Sequence, residues 1–172
     1  MNGIVIKTER LILKPLGTAD LETANSYSLD EQNTRFMCFL PNRDSEEILQ
    51  FLKNVESEWQ KEHPGFYEFA VFYREAHIGA VSVYFDDGVG ELGWIINRRY
   101  WGNGFAYEAA KAMIDYFASI GHHRFVAHCD TENIPSYRLM EKLGMTRTGE
   151  CGGRKNRSSD QESREYQYEL TL

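Results

Sequence analysis

Between positions 99 and 104 the chain reads Arg99-Tyr100-Trp101-Gly102-Asn103-Gly104 and then enters an alanine-rich stretch. Two glycines around one residue permit positive φ and let a ligand approach the main chain closely. If a strand leads into this turn and a helix leaves it, several N–H groups and the positive end of the helix dipole meet at one point. Such a point suits a phosphate or diphosphate, and Arg99 adds a full positive charge at its rim. Three phosphate-binding readings stand beside that of a plain tight turn. A P-loop needs Gly-x-x-x-x-Gly-Lys-Ser/Thr, and no such lysine follows. A dinucleotide fingerprint needs a third glycine where this chain has Tyr107, and a doubly wound parallel domain around it. The third reading is the diphosphate of coenzyme A. A Gly-x-Gly pair alone does not choose among them.

The neighbouring elements narrow the choice. Thr8-Glu9-Arg10-Leu11-Ile12-Leu13-Lys14-Pro15-Leu16 alternates apolar and polar residues and predicts a first strand. A helix follows from Thr18 to about Leu29 with Thr18 or Asp20 as cap, and Asn33 to Asn42 is an apolar loop. Asp44-Ser45-Glu46-Glu47 opens a second helix, whose apolar positions Ile48, Phe51, Leu52, Val55 and Trp59 keep helical spacing until Pro64-Gly65. A meander of three strands comes next, Tyr67 to Tyr73, Ile78 to Phe85 and Val89 to Ile96, with short turns between them. The alanine-rich helix runs from Phe105 to Ile120, buries Ala106, Ala109, Ala110, Met113, Ile114 and Phe117, and stops at Gly121. A strand from Phe125 to Cys129, a helix from Pro135 to Leu143, and strands Met145 to Cys151 and Glu165 to Leu170 complete the order, the last two separated by a polar loop, Gly152 to Ser163. Without repeat or linker, residues 1–172 are expected to form one α+β domain.

Composition excludes several classes of function. With 42% hydrophobic and 26% charged residues, the 172-residue chain can bury a core without disulfide or metal staples. No apolar run approaches the ~20 residues of a membrane span. Met1 to Lys7 has no basic head before an apolar stretch, so the expectation is a cytoplasmic protein with no membrane partner. A net charge of -7 without a basic stripe argues against a nucleic-acid partner, and an acidic surface can draw in cationic amines. The one basic cluster, Arg154-Lys155-Asn156-Arg157, reads first as a solvated loop and second as a phosphate contact. Cys38, Cys129 and Cys151 are odd in number and far apart, which argues against a disulfide framework and a zinc site. His122, His123, His128 and Cys129 do not converge if they follow a strand, since neighbours there point to opposite faces, and no metal is expected.

Arg99-x-x-Gly102-x-Gly104-Phe105-Ala106 resembles the Gln/Arg-x-x-Gly-x-Gly/Ala signature of the GNAT acetyltransferase superfamily. Three further stretches resemble its Rim-type branch, the N-terminal acetyltransferases of ribosomal proteins. They are Thr8 to Leu13, Gly93-Trp94-Ile95-Ile96 leading into Tyr100 to Ala109, and Asn133-Ile134-Pro135-Ser136 followed by Leu143-Gly144-Met145. Order and spacing agree from Thr8 to Leu170. The resemblance implies a mixed, mostly antiparallel sheet of six or seven strands, splayed at its centre and flanked by about four helices.

It also implies acetyl-CoA as co-substrate and no metal. The pantetheine arm would enter the splay and pair with backbone at Trp94, Ile95 and Ile96. The turn Trp101, Gly102, Asn103, Gly104, Phe105 and Ala106 would hold the diphosphate, with Arg99 at its rim. Asn133 and Ser136 would reach the far side of the arm and the thioester sulfur. Amines are mostly protonated near neutral pH, with reference pKa values of ~8 for an α-amine and ~10.4 for lysine, so attack on a thioester needs a base. Glu91, on the strand running to the splay, is the candidate base, against the alternative of a solvent-facing carboxylate. Backbone N–H groups near Ile95 would steady the oxyanion. Ser136 is the candidate donor to sulfur, against the alternative that it or Asn133 caps the following helix. Many members carry a tyrosine acid seven residues after Asn133; here Met140 stands there and transfers no proton. Tyr137 lies elsewhere on the helix surface.

The amine side would be covered by the first two helices and the loop Asn33 to Asn42. Phe36, Met37, Phe39 and Trp59 are pocket candidates there, although aromatic residues at helical spacing usually pack inward. The resemblance favours a peptide N-terminal amine, with polyamines, amino acid conjugates and antibiotic amines as alternatives. The expected partners are therefore acetyl-CoA and an amine, with a homodimer allowed. Two rivals come from other classes. One is a non-catalytic acyl-CoA-binding module. The other is a nicotinamide oxidoreductase, for which Asp130 lies too far past the glycines and the chain is too short.

Overall fold

The computed structural model describes residues 3–172. Met1 and Asn2, at the head of the N-terminal stretch considered above, lie outside the described residues. Eight strands form: β1 (Ile6–Lys7), β2 (Leu11–Pro15), β3 (Phe66–Tyr73), β4 (Ala76–Asp86), β5 (Val89–Ile96), β6 (Arg124–Asp130), β7 (Thr146–Lys155) and β8 (Glu162–Thr171). Four helices accompany them: α1 (Leu21–Ser28), α2 (Ser45–Trp59), α3 (Phe105–Ser119) and α4 (Ile134–Lys142). The strands form one mixed sheet in the order β1-β2-β3-β4-β5-β6-β8-β7, antiparallel except for the β5–β6 pair.

The sheet exceeds the expected six or seven strands because Ile6–Lys7, ahead of the predicted first strand, pairs with it as a short strand of its own. Thr8 and Arg10 turn aside to Glu108: the Thr8 hydroxyl donates to Oε1 at 2.5 Å and the Arg10 N–H at 2.9 Å. β1 and β2 then close as a tight hairpin. The expected polar loop Gly152 to Ser163 is mostly strand. β7 continues to Lys155 and β8 begins at Glu162, with Arg154 opposite Ser163, so only residues 156–161 turn. Bulges in β7 absorb the glycines that made this stretch look irregular.

Three helix ends rest on identifiable chemistry. The Asp44 carboxylate caps α2 by accepting the Glu47 N–H at 3.0 Å. Gly121 and Gly144, at φ +103° and +86°, lie just past the ends of α3 and α4. The α3 face of the sheet buries Leu92, Ile96, Phe125, Ala127 and Cys129 against Ala109, Ala110, Met113 and Phe117 of α3 and Met140 of α4. The opposite face packs Ala70 and Ala80 against Ala24, Tyr27, Ile48, Leu52 and Val55 of α1 and α2. Ala106 is only half-buried, because it faces a cleft rather than the core. Trp59 packs edge-on between Tyr67 and Phe69 and donates its indole N–H to the Glu68 carbonyl, so it is a core residue.

The central strands do not stay together. β5 and β6 pair at Val89↔Arg124, Gly90↔Phe125 and Glu91↔Val126 and no further, although β5 runs on to Ile96 and β6 to Asp130. β5 remains on β4 and β6 on β8. The sheet therefore parts after Glu91.

One buried carboxyl gives a stability prediction. Glu68 on β3 is buried and accepts the Tyr84 hydroxyl at 2.7 Å, and burial pushes its pKa up from 4.5 to about 7. The folded chain thus holds a proton that the unfolded chain releases between pH 4.5 and about 7, and stability falls as pH rises through that window. Glu68→Gln should remove this loss and stabilise the protein at pH 8 by up to about 3 kcal/mol, with little effect at pH 4.5. Urea unfolding at the two pH values measures it.

Candidate active site

The parted strands open a cleft of about 1040 Å³ that runs from the glycine turn, past β5, β6 and α4, to the loop of residues 32–39. At one end, Gly102 and Gly104 take φ +78° and +75°, the left-handed backbone expected of them. Among the described residues, no heavy atom other than those of its chain neighbours lies within 4 Å of where a Cβ on Gly102 would sit, so its surface is open to a ligand. The first intrahelical bond of α3 runs from the Glu108 N–H to Gly104 O. The N–H groups of residues 102–107 have no acceptor among the described residues. Six donors at the positive end of a 15-residue helix form a cradle that fits a diphosphate.

The turn is held from behind. Arg10 donates to Asn103 O at 3.0 Å while its guanidinium pairs with Glu108 at 2.7 Å and lies over the Phe105 ring. The Asn103 carboxamide bonds back to Tyr100 O and Trp101 O, so that side chain braces the turn. Arg99 does not reach the cleft; its N–H is bound by Asn97 Oδ1. Arg138 and Lys142 of α4 line the cleft instead, Lys142 Nζ lying 4.3 Å from the Tyr107 ring centre. They can supply the positive charge that the sequence reading gave to Arg99.

Ladder phase decides which β5 backbone groups face the opening. Asn97 N–H donates to Ile78 O, and antiparallel pairing alternates, so the Ile95 N–H and C=O also point to β4. This corrects the expectation that Ile95 serves the arm or an oxyanion. Trp94 and Ile96 direct their backbone groups to the parted side. Of these, Ile96 O already accepts the Trp101 indole N–H at 2.7 Å, and Trp101 is 55% exposed beside it. Trp94 N–H and C=O and Ile96 N–H are what this edge offers a ligand.

Across the gap stands α4. Asn133 occupies its N-cap position but makes no side-chain cap bond, and Pro135 lies in the first turn. Ser136 is inside that turn and buried, and its hydroxyl neighbours the Cys129 thiol, which burial pushes up to about 11. Neither side chain caps the helix, so both are available to the cleft that they line. Tyr137 points away, onto Tyr166, and Met140 is in the core.

The far end of the cleft is polar. Glu91 Oε1 and His128 Nδ1 lie 3.1 Å apart. That bond is the main cause that holds the Glu91 carboxyl below its ordinary 4.5 and lifts His128 above 6.5. Glu91 is therefore tied to a partner while its side chain stays 58% exposed, so the solvent-facing carboxylate of the sequence reading is also a bonded one. Arg154 pairs with Glu165 beside them, and its Nη2 donates to Phe36 O at 2.8 Å. Arg157 donates from its backbone to Met37 O and from its side chain to Phe39 O, and bridges to Glu47. The basic cluster read as a solvated loop is thus a clamp that lays residues 35–39 along the cleft. Phe36, Met37 and Phe39 line it rather than packing inward, Phe39 with 86% of its surface exposed.

Sequence reading missed His128, Arg154, Glu165 and the Arg10 brace. His128 was weighed only as a metal ligand. His128 and Cys129 do point to opposite faces, but the partner of His128 is on another strand. Among the described residues, no group of three or more His, Cys, Asp or Glu is arranged for a metal, and no helix is long and apolar enough to cross a membrane.

Residues 10–146 match the family model described as the acetyltransferase (GNAT) domain, a span that includes the turn, the parted strands and α4. The chain is similar to a Bacillus subtilis (strain 168) protein described as the uncharacterized N-acetyltransferase YnaD, with 32% identity over 151 residues, 84% of each chain. Among solved structures it is similar to a GNAT-family acetyltransferase from Bacillus anthracis, with 29% identity and a TM-score of 0.82 over 98% of both chains. It also resembles RimL, the ribosomal L7/L12 alpha-N-protein acetyltransferase, solved in complex with coenzyme A, at a TM-score of 0.87 over 98% of both chains. At 14% identity that last likeness speaks for the fold alone. With a family model over most of its length and a relative above 30% identity along 84% of it, the chain belongs to the GNAT family of N-acetyltransferases.

Proposed function

We propose that residues 1–172 act as one domain that moves an acetyl group from acetyl-CoA to a primary amine while both are bound, with a peptide N-terminal α-amine as the preferred class. One observation carries this: a single cleft through the parted sheet joins the donor-rich glycine turn to a polar end that holds Glu91 and His128. The residues fit the cofactor. The N–H groups of residues 102–107 cradle its diphosphate, Arg138 and Lys142 stand at the lip, and Trp94 and Ile96 offer the strand edge its amides need. Bound there, acetyl-CoA supplies an activated acyl carbon with a thiolate as leaving group. Asn133 and Ser136 line the cleft across from β5 and would face the sulfur, and Glu91 and His128 at its polar end would remove the amine proton. The peptide α-amine reading leans on the name of RimL, a fold neighbour.

Free thiol release from acetyl-CoA, scored over a panel of short peptides, polyamines and aminoacyl conjugates, tests the reading. Coenzyme A binding without thiol release for any amine would support a non-catalytic binding module. Ser136→Ala is expected to lower turnover about tenfold, less than the usual ~100-fold or more for proton transfer, because a thiolate leaves readily. Stability should change by about 1 kcal/mol or less, since no helix cap is lost and only the contact with the Cys129 thiol is removed. A fall in Tm without a fall in turnover would give Ser136 a structural role instead.

A further inference from the structure

Glu91 is the last β5 residue that pairs with β6, its partner being Val126. His128 follows two residues later on the same face, the first β6 side chain of that face beyond the point where the strands separate. Its neighbour Cys129 points to the other face, toward Ser136. The fork thus carries an imidazole on one side and a hydroxyl on the other. With its Nδ1–H donated to Glu91, the neutral ring has its lone pair on Nε2.

Resting on the acetyl-transfer reading above, we propose that His128, oriented by Glu91, is the group that deprotonates the incoming amine. The charged groups around it are Glu91 on β5, Asp130 on its own strand, Arg154 on β7 and Glu165 on β8. Three of them are already engaged: Glu165 with Arg154, and Asp130 with Asn156 and Ser163. Glu91 alone bonds the ring. The match in acidity agrees with the geometry. A carboxylate held below 4.5 is a poor acceptor for a proton from an ammonium of pKa ~8, whereas an imidazole lifted above 6.5 is closer to it. In the step, one N–H bond of the ammonium breaks and its proton goes to Nε2. The electron pair left on nitrogen forms the bond to the acyl carbon, the C–S pair departs on sulfur, and the nitrogen's surplus proton passes to the thiolate or to water.

The test compares wild type, H128Q, H128A and E91Q, using the best amine of the panel between pH 5.5 and 9. H128Q should lose about 100-fold or more in kcat and lose the acidic limb of its pH profile, while Kd for coenzyme A by calorimetry stays within twofold. Added imidazole should restore part of the H128A rate. E91Q should fall about tenfold and move the limb to lower pH. Independently of turnover, NMR titration should find His128 above 6.5 in wild type and lower in E91Q. H128Q keeping more than half of wild-type kcat, or E91Q losing more than H128Q, would overturn the assignment while leaving acetyl transfer standing. Wild type releasing no thiol with any amine would instead overturn the transfer reading and this role with it.

Discussion

Gly104→Val is expected to weaken coenzyme A binding at least 100-fold, about 2.7 kcal/mol, while the fold survives. Gly104 sits at φ +75°, and a Cβ there would approach only Arg10 Nη2, at 3.7 Å. The protein therefore has room for the side chain; the ligand does not. An isopropyl group would stand over the N–H groups of residues 102–107 and displace the phosphates that they face. Left-handed backbone is costly for a branched residue, about 1–3 kcal/mol, so a loss of stability alone would prove little. Gly88→Val is the control. Gly88 has φ +77° and open space around it in the β4–β5 turn, so it carries the same strain away from the cleft. Calorimetry should find coenzyme A binding lost in the first variant and kept in the second, with similar falls in Tm. Affinity within fivefold of wild type in G104V would remove the turn from cofactor binding.

Asp130→Ala should destabilise the protein by about 3–5 kcal/mol, because three donors lose their common acceptor and each buried donor left unpaired costs about 1–3 kcal/mol. Asp130 is 1% exposed and accepts from Asn156 Nδ2 at 2.5 Å, Ser163 Oγ at 2.6 Å and the Glu132 N–H at 2.8 Å. Burial works to raise its pKa, yet these bonds together hold it below 3.8. Its contribution is thus complete above pH 3.8 and lost as pH falls through the lower folded value, so the difference between variant and wild type should shrink in strong acid. Asn156 adjoins Arg157, the clamp on residues 37 and 39. Where the variant still folds, the KM for the amine should therefore rise about tenfold or more, with the Kd for coenzyme A little changed. Unchanged stability in urea would show that the network is dispensable.

How much of this was readable beforehand follows from the range of each signal. The glycine turn, the alanine-rich helix and the meander are local. Two positive-φ glycines, small residues at helical spacing and short turns declare themselves within a few residues. The Glu91–His128 bond is not local, since it depends on the register of a parallel pair joined across the whole α3 crossover. The short strand Ile6–Lys7 was hidden for a similar reason, because the group that turns the chain after it, Glu108, lies about a hundred positions away. Ile95 was misassigned because alternation of side chains is visible in a sequence, while the phase of backbone hydrogen bonds is set by Asn97 and Ile78. The β7–β8 hairpin was undervalued because glycine and serine suggest a loop, and only the partner strand shows that bulges take them in.

A sheet parted in the middle leaves part of its own bonding unfinished. With acetyl-CoA filling that edge and the helix start, the ligand becomes a removable piece of the native state, and mass action then favours folded over unfolded chain by about 2.7 kcal/mol at a hundredfold excess over Kd. Metabolic supply would set how long each molecule survives heat and proteolysis, so that cells starved of acetyl groups would clear the enzyme faster than cells rich in them.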